Sequence, residues 1–119
     1  MPDINWLDQP KTLIVALQAS CRFCNESAPF YKRLIENTKN KNIKLVAVLP
    51  TDLEESKAHL NKFGLSELEV RQASLDSIQV EGTPTLLLVN SKGEVTDYWV
   101  GKLPPHKETE VLNKLTSES

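Results

Sequence analysis

Ala19-Ser20-Cys21-Arg22-Phe23-Cys24-Asn25-Glu26 carries the strongest structural signal in the sequence. It follows the apolar run Thr12-Leu13-Ile14-Val15-Ala16-Leu17 and holds both cysteines of the 119-residue chain. A run of that kind is expected of a strand buried on both faces of a mainly parallel sheet, so the cysteines fall where a central strand turns into a helix. The first N–H groups of a helix lack partners and its dipole is positive there, which favours a thiolate at Cys21. Cys21 reads as the nucleophile. Cys24 lies on the same helical face one turn further on, close enough to close a small disulfide ring, and reads as the resolving thiol. The same pair is open to plainer readings: a structural disulfide, half of a metal site, or two small buried apolar residues. Zinc fits worst, because it needs four N or S ligands and the chain adds only His59 and His106, neither at ligand spacing.

Outward from the cysteines, 39% hydrophobic and 25% charged residues suit one globular domain over 1–119. The net charge of -2, with basic residues scattered among acidic ones, gives no field for nucleic acid. No apolar run reaches the roughly 18 residues of a membrane span, and 1–9 lacks the basic and apolar regions of a signal peptide. Met1-Pro2-Asp3 reads as an added start, and the first strong strand follows almost at once. The expectation is therefore a soluble domain that fits excision from a longer exported or membrane-anchored protein.

The spacing predicts a helix over 22–37 with Ala28, Tyr31, Leu34 and Ile35 in one stripe, kinked by Pro29. A polar surface turn over 37–42 follows, then a strand, Ile43-Lys44-Leu45-Val46-Ala47-Val48-Leu49; strand, helix and strand at this length imply a right-handed parallel crossover. Thr51-Asp52-Leu53-Glu54 has the pattern of a capping box, opening a helix with Leu53, Leu60 and Phe63 on its buried face and Gly64 as its stop. A short edge strand over 69–73 and a helical turn over 75–80 come next. Leu86-Leu87-Leu88-Val89 and the strand over 94–100 form a hairpin about Asn90-Ser91-Lys92-Gly93, and a last helix over 105–115 turns Val111, Leu112 and Leu115 to the sheet.

Taken together, Cys21-Arg22-Phe23-Cys24 after an apolar strand, Pro29 five residues past the second cysteine, Thr83-Pro84-Thr85 before a Leu-rich strand, and Val100-Gly101-Lys102-Leu103 before a final helix resemble the thioredoxin superfamily over about 12–115. The acidic helical stretch over 51–63 and the long connection to Pro84 resemble its TlpA/ResA-like extracytoplasmic branch. The resemblance implies an α/β fold with a central mixed sheet and helices on both faces. It implies a cis Pro84 facing the disulfide, with Thr83 pairing with a substrate backbone and Gly101 leaving room for it. The implied activity is thiol-disulfide exchange by a Cys21–Cys24 pair with no cofactor, reducing partner disulfides and recharged by an upstream thiol reductant. A monomer in the bacterial periplasm or on the outer membrane face is implied, the cytoplasm being the alternative. A disulfide oxidase or isomerase, and a redox-inactive peptide-binding domain, stand as the other readings.

Several positions depart from that family. Ser20 replaces the usual tryptophan, and Arg22-Phe23 replaces Gly-Pro between the cysteines. Arg22 is expected to lower the Cys21 pKa, in a class whose potentials run from about -270 to about -120 mV. Val15 and Ser27 stand where relatives carry a proton-accepting carboxylate, which leaves Glu26 as the candidate relay through water. The family's first strand and helix have no counterpart.

Overall fold

Thr12 to Leu17 are at most 3% exposed, because the strand they form is covered on both faces. The computed structural model describes residues 11–39 and 41–116; the readings placed on 1–9 and on Asn40 of the polar turn lie outside these. Strand β1 (Lys11–Ala16) pairs in parallel with β2 (Ile43–Leu49) and antiparallel with β4 (Thr85–Asn90). The edges are β3 (Glu69–Gln72), parallel to β2, and β5 (Val95–Val100), antiparallel to β4. The sheet order is β3-β2-β1-β4-β5, so β1 is central and the sheet is mixed. β1 begins and ends one residue before the predicted 12–17, and Leu17 stays tied to the sheet through its N–H to the Val48 carbonyl at 2.9 Å.

The helix predicted over 22–37 is two helices. α1 (Arg22–Glu26) stops at Ser27, and α2 (Ala28–Thr38) restarts at once. Pro29 stands in the first turn of α2, where a missing N–H is not needed, so it favours a fresh start over a kink. Ser27 bridges the break: its N–H reaches the carbonyls of Phe23 and Cys24 at 3.1 and 3.2 Å, and its hydroxyl donates to the Phe23 carbonyl at 2.7 Å. Ala28, Tyr31 and Leu34 are buried as the stripe requires, Phe30 joins them, and Ile35 packs half-buried at the margin.

α3 (Leu53–Lys62) begins one residue later than the capping pattern suggests. Asp52 is the cap, its Oδ1 accepting the Glu55 N–H at 2.8 Å, while the Thr51 hydroxyl pairs with that of buried Ser56 at 2.7 Å. Leu53 thereby becomes the first helical residue and is 44% exposed; the buried positions are Ser56 and Leu60, with Phe63 half-buried. Gly64 closes the helix at φ +73°, the left-handed conformation that favours glycine. After β3 comes a single 3₁₀ turn at Asp76–Ile78, then the β4–β5 hairpin, whose Gly93 sits at φ +80°, and α4 (Pro105–Thr116).

The two faces of the sheet are covered unequally. Leu13, Val15, Ala47, Leu49, Leu86 and Trp99 pack with residues of α2, α3 and α4 in one large cluster. Ile14, Val46, Val48 and Val89 form a small cluster on the other face, joined by Ala73, Ile78 and Leu87. Helical cover of that second face is thus the 3₁₀ turn alone among the described residues. The order β3-β2-β1 explains this: the crossovers from β1 to β2 and from β2 to β3 step the same way, and right-handed crossovers that step the same way put their helices on one face.

Candidate active site

Three strand ends meet at one end of the sheet. Ala16 pairs with Thr85 and Thr85 with Val100, so the residues after β1, before β4 and after β5 converge there. The chain leaving β1 turns through Gln18, whose carbonyl accepts the Cys21 N–H at 3.2 Å, and enters α1 with Cys21 as its extended cap residue (φ -89°, ψ 113°). The Cys21 Sγ accepts the backbone N–H of Cys24 at 3.1 Å, in the manner of a capping side chain. Cys21 and Cys24 form a disulfide with their Cα atoms 5.2 Å apart. The two sulfurs differ in access: Cys24 is 4% exposed and belongs to the core, whereas Cys21 is half-buried at its edge. Of the two residues, Cys21 is the more open to solvent.

The second wall comes from the segment before β4. Its Thr83–Pro84 peptide is cis, Pro84 is fully buried, and half-buried Thr83 directs its hydroxyl at the Gln18 side-chain carbonyl, a long contact of 3.5 Å. The third wall follows β5. Gly101 donates its N–H to the Pro84 carbonyl at 2.8 Å and holds φ +87°, a conformation that side-chain-bearing residues rarely adopt. A Cβ built there would meet nothing within 4 Å, so the space beside it is open. Cys21, Thr83, Pro84 and Gly101 therefore lie on loops at one sheet end.

Charges flank the disulfide. The Arg22 guanidinium, 85% exposed, turns along α1 and gives its Nε–H to the Glu26 Oε2 at 2.7 Å. Lys102, in the loop after Gly101, gives its ammonium to the Glu26 Oε1 at 3.0 Å. These partners, Arg22 first and Lys102 second, hold the Glu26 carboxyl below the usual carboxylate range. A carboxylate so engaged is a weak proton acceptor. Val15 is 1% exposed and Ser27 donates its hydroxyl within its own turn, so neither position supplies another base. His106 is exposed.

Sequence reasoning missed two participants. Lys102 stood inside the Val100-Gly101-Lys102-Leu103 motif, but no spacing rule joins residues 76 apart to Glu26. Gln18 carried no signal beyond its place in the turn before Cys21. Among the described residues there is no group of three or more His, Cys, Asp or Glu side chains that would hold a metal ion, and no helix long and apolar enough to cross a membrane.

No protein-family model and no curated protein matches the chain. Solved structures do. A thiol-disulfide isomerase from Corynebacterium glutamicum is similar at a TM-score of 0.75 and 17% identity, covering 96% of this chain and 85% of that one. StoA from Bacillus subtilis is similar at a TM-score of 0.73 and 18% identity, over 92% and 84% of the two chains. A secreted Mycobacterium tuberculosis disulfide oxidoreductase homologous to E. coli DsbE is similar at 0.69 and 15% identity, over 92% and 82%. Likeness at such identities, over most of both chains, is a likeness of architecture: the chain has the thioredoxin-like fold.

Proposed function

We propose that the chain is a thiol-disulfide oxidoreductase that cycles its Cys21–Cys24 pair between disulfide and dithiol and reduces disulfides of partner proteins. The observation that carries this reading is the unequal access of the two sulfurs, an approachable Cys21 with an N–H already aimed at its Sγ over a buried Cys24. In the reduced protein the Cys21 thiolate attacks one sulfur of a partner disulfide, the S–S bond breaks, and the partner's other sulfur leaves as a thiolate. Cys24 then loses its proton and attacks the Cys21 sulfur of the mixed disulfide. The second partner thiolate departs, the Cys21–Cys24 bond forms, and two electrons have passed to the partner, whose thiolates take protons from water. An upstream thiol reductant restores the dithiol. The pair needs no cofactor beyond its own sulfurs.

In this reading Pro84 and Thr83 receive the partner's extended backbone beside Cys21, and the open space at Gly101 admits its other side. Arg22 and Glu26 tune the site from its flank. The chain acts as one monomeric domain of the TlpA/ResA-like branch, and works outside the cytoplasm. That the similar Mycobacterium tuberculosis oxidoreductase is secreted supports the last point.

The test is insulin reduction with dithiothreitol as electron source. The unmodified chain should accelerate precipitation of the insulin B chain well above the dithiothreitol rate, and Cys21→Ala should abolish the acceleration. No acceleration, together with no exchange between the pair and glutathione, would replace this reading with a redox-inactive peptide-binding domain.

A further inference from the structure

Glu26 is held by cations from two separate parts of the chain. Arg22 reaches it from one turn back in α1, and Lys102 reaches it from the loop behind Gly101, 76 positions away. All three side chains meet solvent, so the two bridges add little to stability. Their position matters more than their strength. Glu26 ends the short helix that Cys21 caps, and five residues of helix at 1.5 Å each set it about 7.5 Å from Cys21 along the axis, within the screening length of ~8 Å at physiological ionic strength. Two cations and one carboxylate leave one net positive charge on the short helix that Cys21 caps and the loop behind Gly101.

We propose that Glu26 and Lys102 are positioning residues that set the balance between the Cys21–Cys24 disulfide and its dithiol form, by fixing how much positive charge faces the Cys21 thiolate. The inference rests on the oxidoreductase reading. In the reduced protein the Cys21 thiolate and the Glu26 carboxylate compete for the same two cations. Removing the carboxylate releases both cations to the thiolate, which stabilises the reduced form and makes the disulfide a stronger oxidant. Removing the Lys102 charge leaves Glu26 neutralised by Arg22 alone, which withdraws the net positive charge and makes the pair a stronger reductant. The two substitutions break one bridge from its two ends, yet they move the redox balance in opposite directions. A clasp with a merely structural role would be loosened alike by both.

The experiment equilibrates the full chain with glutathione buffers of graded ratio at pH 7 and low ionic strength, and reads the reduced fraction by thiol alkylation. Glu26→Gln should shift the equilibrium constant about threefold toward the dithiol, and Lys102→Met about threefold toward the disulfide, as one partly screened charge at this range implies. Lys102→Arg should keep the parent value, and 1 M salt should erase both shifts. Shifts in the same direction, no shift in either variant, or a Lys102→Arg variant that behaves as Lys102→Met would overturn the proposal while leaving the oxidoreductase reading intact. A parent pair that never exchanges with glutathione would overturn that reading, and the proposal with it.

Discussion

The backbone N–H of Cys24 points at the Sγ of Cys21 across 3.1 Å, so the first turn of α1 delivers a hydrogen-bond donor directly to the sulfur. Donation to the charged form lowers a pKa, whereas an exposed arginine already bound to a carboxylate contributes little. α1 is only five residues long, so its dipole is small and this single donor is the larger influence on the sulfur.

The Cys21 thiol should therefore ionise below the roughly 8.5 of a free cysteine. Thiolate absorbance followed against pH in a Cys24→Ser variant, which keeps the backbone N–H, measures it. Arg22→Ala should raise the value by only a few tenths, because the guanidinium is engaged with Glu26 and screened by solvent. A Cys21 value at or above that of a free thiol rejects its assignment as nucleophile.

Glu26 gives a prediction with a sign. Its folded pKa lies below the ordinary 4.5, so whatever stability its two bridges add is complete above that value and is lost as the pH falls through the folded pKa. The difference in melting temperature between the parent and Glu26→Gln should be constant at neutral pH and shrink toward zero in acid. A difference that widens on acidification contradicts the bridges to Arg22 and Lys102.

Burial separates a packed leucine in β1 from an exposed one at the start of α3. Leu13 is fully buried in the large cluster, and Leu13→Ala should cost about 2–5 kcal/mol in denaturant unfolding. Leu53 is 44% exposed, and Leu53→Ala should fall within about 0.5 kcal/mol of the parent. Asp52→Ala should cost about 1 kcal/mol as the loss of a cap. Equal losses at Leu13 and Leu53 would mean that α3 turns Leu53 toward the sheet and away from solvent.

Much of this architecture was legible because β1 and β2 are apolar on both faces, and only the middle of a covered sheet produces such runs. The hairpin, the edge strand Glu69–Gln72 and the final helix followed from turn residues and spacing. The break at Ser27 was not legible: Pro29 signals a disturbance in a helix but fits equally well in a first turn, and the bond from the buried Ser27 hydroxyl back to the Phe23 carbonyl, which closes α1, has no sequence signature. Thr51 and Asp52 are both good caps, and the choice fell to Asp52 because the Thr51 hydroxyl is taken by Ser56. The unequal cover of the sheet came from strand order, which local patterns do not contain. At the site, the cysteines and the Thr83-Pro84 motif were readable, while the partnership of Glu26 and Lys102 depends on loops that only tertiary structure brings together.

Trapping of partner proteins separates the roles of the two cysteines. With Cys24→Ala, the Cys21 thiolate still attacks but nothing resolves the product, so a mixed disulfide with partner proteins should accumulate and dissolve on reduction. With Cys21→Ala, buried Cys24 should trap almost nothing. Equal trapping by both variants, or adducts on Cys24 alone, would contradict the assignment of Cys21 as the attacking sulfur and Cys24 as the resolving one.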